Sequence, residues 1–499
     1  MNLLICLCEI KNLLRERLLW LLVGITVCFT ALASYNGYQW VVTQNEVISS
    51  AQKEQQQAVI TAQQGVADRQ ALNQPINWWD DKYDLRGQAF YLMVNYATKP
   101  PLPSAAMAVG QSDIQPYFFR MLVTSKQDFI NQYEFVHPLA LLIGKFDLAF
   151  FIIYVLPLLL ISIGFNALAQ EKESGQLRLL MLQGLSPMRL LFNQLVIRSS
   201  IIILPLLLIS ISALLLFSEG IDLLSISLFV ALVLAYAAFW LALSALVISY
   251  GNTSAYNAAV LVIFWLSLVI IIPAVLNTAI VTANTAPSRI QYVDNLRDKS
   301  DAIDKSSSKV MAQYFQDHPE LAKKSNADNS NGETISQPDS SYSTKKIAKI
   351  AAVETAMQPY DDAFQSVLMA QQLYAEKLSY LSPATIVQGA LFELSGNGLV
   401  RHQHFIEQVL SHHKNLRYFY QQQISAAHQR GDFSPCDGCN ARVTLSDLAQ
   451  IPKFTYQEKT SGAAWGNVLM LWLFSAILVV LASLRLSMMN RSQTSCALV

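Results

Sequence analysis

The chain has 499 residues, of which 53% are hydrophobic and 14% charged, and its 35 basic and 35 acidic residues cancel to a net charge of zero. Soluble domains carry about 25% charged residues, so this composition speaks against an ordinary soluble enzyme and for an integral membrane protein. Zero net charge leaves no strong field to attract nucleic acid, and no nucleic-acid partner is expected.

The apolar residues cluster in runs of about 20, the length an α-helix needs to cross a hydrocarbon core. Residues 1–17 precede the first run. Leu3, Leu4, Leu7, Ile10, Leu13 and Leu14 recur at helical spacing opposite Glu9, Lys11, Asn12 and Glu16, which fits an interfacial helix or the start of the first span. Six spans are expected, at 18–35, 147–168, 190–217, 223–249, 256–280 and 464–486. A cleaved signal peptide ending near Ala31-Leu32-Ala33 is the competing reading of the first. Pro157, Pro205 and Pro273 are expected to kink the second, third and fifth spans. Arg198 is expected to snorkel from the third.

Lys and Arg in short loops set orientation. Lys11, Arg15 and Arg17 precede the first span, Lys172, Arg178 and Arg189 lie between the second and third, and Arg485 and Arg491 follow the sixth. An even number of spans puts all three groups on one side, the cytoplasm. The expected fold is therefore an α-helical polytopic membrane protein with six transmembrane helices. Two long loops, 36–146 and 281–463, would form a mostly helical, α+β extracytoplasmic domain, with 487–499 a cytoplasmic tail.

Within the first loop, residues 40–72 lack proline and read as a helix continuing the first span, with one break at Gly65 and an end at Pro75. Short strands are expected near 90–96 and 118–124. The second loop reads as a helix over 289–315, a flexible polar tip over 317–346, a helix over 346–380 bent at Pro359, and an amphipathic helix over 399–429 with Phe405, Val409, Leu416 and Phe419 on its apolar side. Cys436 and Cys439 would close a turn as a local disulfide on the outside. A metal site with nearby histidines, a redox pair and free thiols are the alternatives. No metal site is expected.

The polar stretch between the second and third spans, 169–189, is the most informative segment. It carries Glu171, Glu173, Gly175, Leu177, Leu179 and Leu180, then Pro187 and Arg189. It resembles the cytoplasmic coupling segment of ABC-2 type transporter permeases. The long loops resemble a subgroup with large extracytoplasmic insertions of unknown function. The matching stretches hold Gly110, Gln111, Ser112, Asp113 and Pro116, then Pro383, then His402, with a departure at Gly396-Asn397-Gly398.

The resemblance implies a non-catalytic permease subunit in a bacterial inner membrane, with both termini cytoplasmic. Its partners would be a cytoplasmic ABC ATPase, a second permease subunit, membrane lipid and a candidate periplasmic protein. The sequence holds no Gly-x-x-x-x-Gly-Lys-Ser/Thr phosphate loop, so it expects no cofactor of its own, with ATP and Mg bound by the partner ATPase. Export or extraction of a substrate is the leading reading. Mechanotransmission without transport and a membrane-anchored sensor or scaffold are the alternatives.

Overall fold

The computed structural model describes residues 9–11, 13–69, 78–80, 84–110, 112–113, 115–130, 146–182, 186–218, 220–250, 253–319, 342–430, 448–459 and 464–496. Among them six helices are long and apolar enough to cross a membrane. The first belongs to α1, Arg17–Arg69, a single helix of 53 residues. At 1.5 Å per residue it extends about 80 Å, more than twice a hydrocarbon core. It runs through Gly65 without a break, so the first insertion begins as a rigid extension of the first span.

The second span, Leu148–Glu173, opens with a helical turn capped by Asp147, which accepts from the Phe150 N–H at 2.7 Å. A π-helical segment follows, Phe151–Val155, and then α2, Leu156–Gly164. Two short helices come next, α3 at Ala169–Glu173 and α4 at Gln176–Leu182. The third and fourth spans are α5, Pro187–Phe217, and α6, Leu223–Tyr250. The fifth consists of α7, Ser254–Trp265, a second π-segment, Leu266–Ile271, and α8, Ile272–Ala283. The sixth span lies in the terminal helix, Ala464–Cys496.

The insertions contribute α9, Arg289–Lys305, and α10, Ser307–Asp317. After them come α11, Tyr342–Leu378, α12, Pro383–Leu394, and α13, Leu399–Arg430. The expected helix over 289–315 is thus divided at Ser306, whose backbone leaves the helical region. The helix around Pro359 stays continuous. β1, Asn95–Thr98, pairs antiparallel with β2, Phe118–Met121, in the register Asn95↔Met121 and Thr98↔Phe118. The first strand is shorter than expected because Gln88–Leu92 is π-helical. Phe405, Val409 and Leu416 are buried as α13's spacing predicts, and Tyr420 joins them. The expected tip over 317–346 falls largely outside the described residues.

α12 is too short to span a membrane. It nevertheless packs into the largest apolar core, where Ala384, Ile386, Val387, Ala390 and Leu391 join residues of the spans. The same core takes in Ala106, Met107 and Ala108 from the first insertion. The insertions are therefore anchored in the bundle rather than tethered to it. Gly37 of α1 makes one of these contacts: a Cβ built there would lie 2.2 Å from the Ala106 carbonyl oxygen. Arg198 does not snorkel. It is 7% exposed, its Nε donates to Glu9 at 2.8 Å, and its NH1 donates to the Asn166 Oδ1 at 2.5 Å. Glu9 supplies the counter-charge that the third span lacks.

Gly37→Ala should force α1 away from the Ala105–Met107 turn and cost on the order of 1–3 kcal/mol, the usual cost of overpacking. Thermal denaturation in detergent should show a lowered Tm, and an unchanged Tm would contradict the contact.

Candidate functional site

Two sites draw together most of the residues that the sequence singled out, one at each end of the bundle. The first is the hairpin of α3 and α4. The turn before it carries Leu168 at φ 58°, the sole non-glycine described residue with positive φ. Backbone strain there is held by Gln194 of α5, whose Oε1 accepts from the Leu168 N–H at 3.0 Å. The same side chain donates through Nε2 to Glu171 at 2.6 Å. Glu173 accepts from the Ser254 N–H, at the first turn of the fifth span, at 2.6 Å. Lys172 donates to the Ile248 carbonyl at the end of α6 at 3.4 Å.

Gly175 turns the chain between the two short helices at φ +72°, in open space where only the backbone conformation calls for glycine. Leu177 is buried in a cluster with Leu190, Leu191, Ile248 and Leu486. Ser186 caps α5 by accepting from the Arg189 N–H at 3.3 Å, and Pro187 occupies the first turn, where its missing N–H is harmless. Both motif carboxylates therefore bond to the spans, Glu171 from a half-buried position and Glu173 at the exposed edge. The hairpin's outer surface carries Leu179, 63% exposed, and the exposed Arg189.

The second site surrounds α12. Proline lacks the N–H that an α- or π-helix uses. In the turn before Pro157, where the π-segment gives way to α-helix, the Ile153 carbonyl accepts from the Tyr236 hydroxyl at 2.9 Å. The carbonyl five residues before Pro273, the π-helical distance, is that of Leu268, and it accepts from the Ser382 hydroxyl. Between the two π-segments, the Trp265 indole N–H donates to the Tyr154 carbonyl at 3.2 Å. Ser382 also caps α12, accepting from the Ala384 N–H at 3.1 Å, with Pro383 in the first turn.

The far end of α12 is fixed by the first insertion. Ser104 donates to the Leu394 carbonyl at 2.6 Å. Asn397 Nδ2 donates to the Ala108 carbonyl at 2.6 Å. Gly110, at φ +58°, lies where a Cβ would sit 3.1 Å from the Phe392 ring. The Val109 N–H donates to Asp147 at 2.8 Å, so one carboxylate joins the Gly110 turn to the start of the second span. Ser112 accepts from the Trp40 indole of α1 at 2.8 Å. Gly110, Ser112 and Pro383 thus converge on one structure, and Asn397, at the sequence departure, is its buried pin.

Asp113 and Pro116 are half-buried in the turn leading to β2. His402 lies on α13. Burial pushes it down to about 3, with Lys99 adding to the shift. Lys99 is 4% exposed, and its ammonium lies 5.8 Å from the Phe405 ring centre. Burial, reinforced by Arg401, lowers it to about 7. Arg401 itself is paired with Glu458. His413 is lowered to about 4, mainly by burial, and bonds to the Leu122 carbonyl. Gln111, Cys436 and Cys439 lie outside the described residues. Among the described residues no cluster of His, Cys, Asp and Glu is arranged to hold a metal.

The sequence profile described as "ABC-2 family transporter protein" matches residues 3–491. The chain belongs to the ABC-2 transporter family. It is therefore the membrane permease component of an ABC transporter. No curated protein matches it. The permease's multi-pass membrane character follows from the six apolar helices and this membership together.

Lys99 gives the insertions a pH signature. Its folded value of about 7 lies below the unfolded 10.5, so between these values the unfolded chain binds more protons and stability rises with pH. Lys99→Met should flatten that rise and raise the Tm at pH 7. His402 and His413 act in the acid range: their lowered values remove stability as pH falls from 6.5 toward about 3. Melting curves of wild type and Lys99→Met from pH 3 to 10 check both slopes. Parallel curves above pH 7 would contradict the Lys99 assignment.

Proposed function

We propose that this permease couples ATP hydrolysis by a separate cytoplasmic ABC ATPase to the export or extraction of a substrate. The hairpin 169–189 is the coupling segment. ATP and Mg act in the partner chain, since this sequence carries no phosphate loop. The observation that carries the reading is the pair of bonds from Glu171 to Gln194 and from Glu173 to Ser254. They make the hairpin one mechanical body with the second, third and fifth spans. A push on its outer surface is delivered to those spans rather than absorbed by a flexible loop.

In this reading Leu179 and Arg189 face the ATPase, and the glutamates transmit. The positive-inside bias favours a hairpin and both termini in the cytoplasm of a bacterial inner membrane, with the insertions on the periplasmic side. A second permease subunit would complete the transporter, and lipid covers the exposed apolar faces of the spans. The continuous α1 favours a second reading, mechanotransmission, in which its outward extension relays movement to a periplasmic partner without transport. Substrate flux in proteoliposomes separates the two.

The two roles within the hairpin are separable by affinity purification in mild detergent. Leu179→Asp should lose the co-purifying ATPase, because a buried charge without a partner is costly. Glu171→Ala with Glu173→Ala should retain it while lowering its rate of ATP hydrolysis by about tenfold or more, since one charge-assisted hydrogen bond contributes about 1.5–3 kcal/mol. If the ATPase is absent even after crosslinking, the coupling reading fails.

A further inference from the structure

We propose that the two insertions together form a saccharide-binding cleft, walled by Trp78, Trp79, Tyr91 and Tyr342, that takes a neutral pyranose chain. The proposal is independent of the coupling reading, and its test uses the permease alone.

Three stretches distant in sequence build the cleft. Trp78, Trp79 and Asp80 come from a turn in the first insertion, Tyr91 and Leu92 from the π-helical segment Gln88–Leu92, and Tyr342 is the first residue of α11. The Trp78 ring centre lies 5.7 Å from that of Trp79, 6.1 Å from that of Tyr91 and 5.5 Å from that of Tyr342. The space they border is about 640 Å³, within the roughly 300–1,000 Å³ of small-molecule sites. It is an open cleft rather than an enclosed cavity, so the ligand can be one stretch of a longer chain.

The base of the cleft is fixed and its rim is bare. Trp78 packs on the buried core that holds Leu85, Phe90 and Ile347. Arg86 lies 5.1 Å from the Trp78 ring centre and is itself held by the buried Asp84 through two bonds, at 2.9 and 2.7 Å. Trp79, Tyr91 and Tyr342, by contrast, are 46%, 44% and 57% exposed. Large rings gathered on a core yet open to solvent mark a recognition surface.

Charge decides the class of ligand. Aromatic rings beside a carboxylate, here Asp80, are the arrangement that holds a quaternary ammonium ion. In this cleft the protein's own cations already occupy the rings. Lys346 Nζ lies 4.4 Å from the Phe90 ring centre and 4.5 Å from that of Tyr91, and it donates to the Tyr91 hydroxyl at 3.2 Å. A second cation would meet that ammonium. An anion would meet Asp80 and the negative ring faces. A neutral ligand with an apolar face and polar edges meets neither obstacle. A pyranose has both features: C–H bonds on its faces for the Trp and Tyr rings, and hydroxyls that donate to the Asp80 carboxylate. The Tyr91 hydroxyl, which accepts from Lys346, keeps its own hydrogen to donate to the sugar.

Isothermal titration calorimetry of the full-length permease in glycan-free lipid nanodiscs tests this, with maltohexaose, cellohexaose and chitohexaose as probes. At least one should bind at millimolar concentration or below, with an affinity that salt does not change. Trp79→Ala should weaken binding by about threefold to tenfold, the contribution of one aromatic contact. Asp80→Ala should weaken it by about tenfold or more. Both side chains are exposed, so the Tm should stay at the wild-type value. Tyr342→Ala gives a second comparison should Trp79→Ala lower it. The saccharide site is overturned if none of the three probes binds, or if the aromatic variants bind as the wild type does. It is also overturned if tetramethylammonium binds in their place with an affinity that falls as salt rises.

Discussion

A backbone carbonyl in hydrocarbon has no water to turn to, so every donor removed from a spanning helix must be replaced from within the protein. Pro157 and Pro273 remove such donors in the second and fifth spans. Side-chain donors come from Tyr236, on the fourth span, and Ser382, on the second insertion. The second replacement brings a segment from outside the spans into the bundle and gives α12 its position. The Gly110 turn, the Asn397 pin and the Asp147 cap are built around that helix.

The hairpin end obeys the complementary constraint, that charge brought into the bundle must be partnered. Arg198 meets Glu9 and Asn166, and the half-buried Glu171 meets the Gln194 amide. Breaking a buried pair by removing one partner costs more than the pair contributes. These contacts therefore fix the geometry of the hairpin more than they add to stability. The left-handed Leu168 is tolerated for the same reason: Gln194 binds its N–H and Glu171 together.

The spans were legible because apolar runs of membrane length leave little else to form, and α1's extension was legible because nothing before Pro75 breaks a helix. The hairpin was found by its charges, but the direction of Glu171 and Glu173 was not, since their partners Gln194 and Ser254 are distant in sequence. Pro157 and Pro273 were visible and read as kinks. Which carbonyl each frees, and which side chain answers it, depends on π-helical register and tertiary contact. No element was expected at 383–394, because a 12-residue stretch holding Thr385, Gln388 and Glu393 is too short and too mixed to announce itself as part of a membrane bundle. Asn397 was noticed only as a departure from a family pattern, while the fold makes it the pin of α12. Arg198 was misjudged because its partner, Glu9, lies nearly 190 residues away, on the polar face of a segment read as interfacial.

In the proposed coupling, the hairpin and the insertions lie on opposite sides of one membrane, joined by the second and fifth spans. Single cysteines at Leu179, on the hairpin, and at Asp301, on α9, placed in a chain whose six native cysteines are replaced, test this most directly. In right-side-out vesicles an impermeant maleimide should label the Asp301→Cys protein at once and the Leu179→Cys protein only after permeabilisation. Labelling of both from the same side would contradict the proposed coupling.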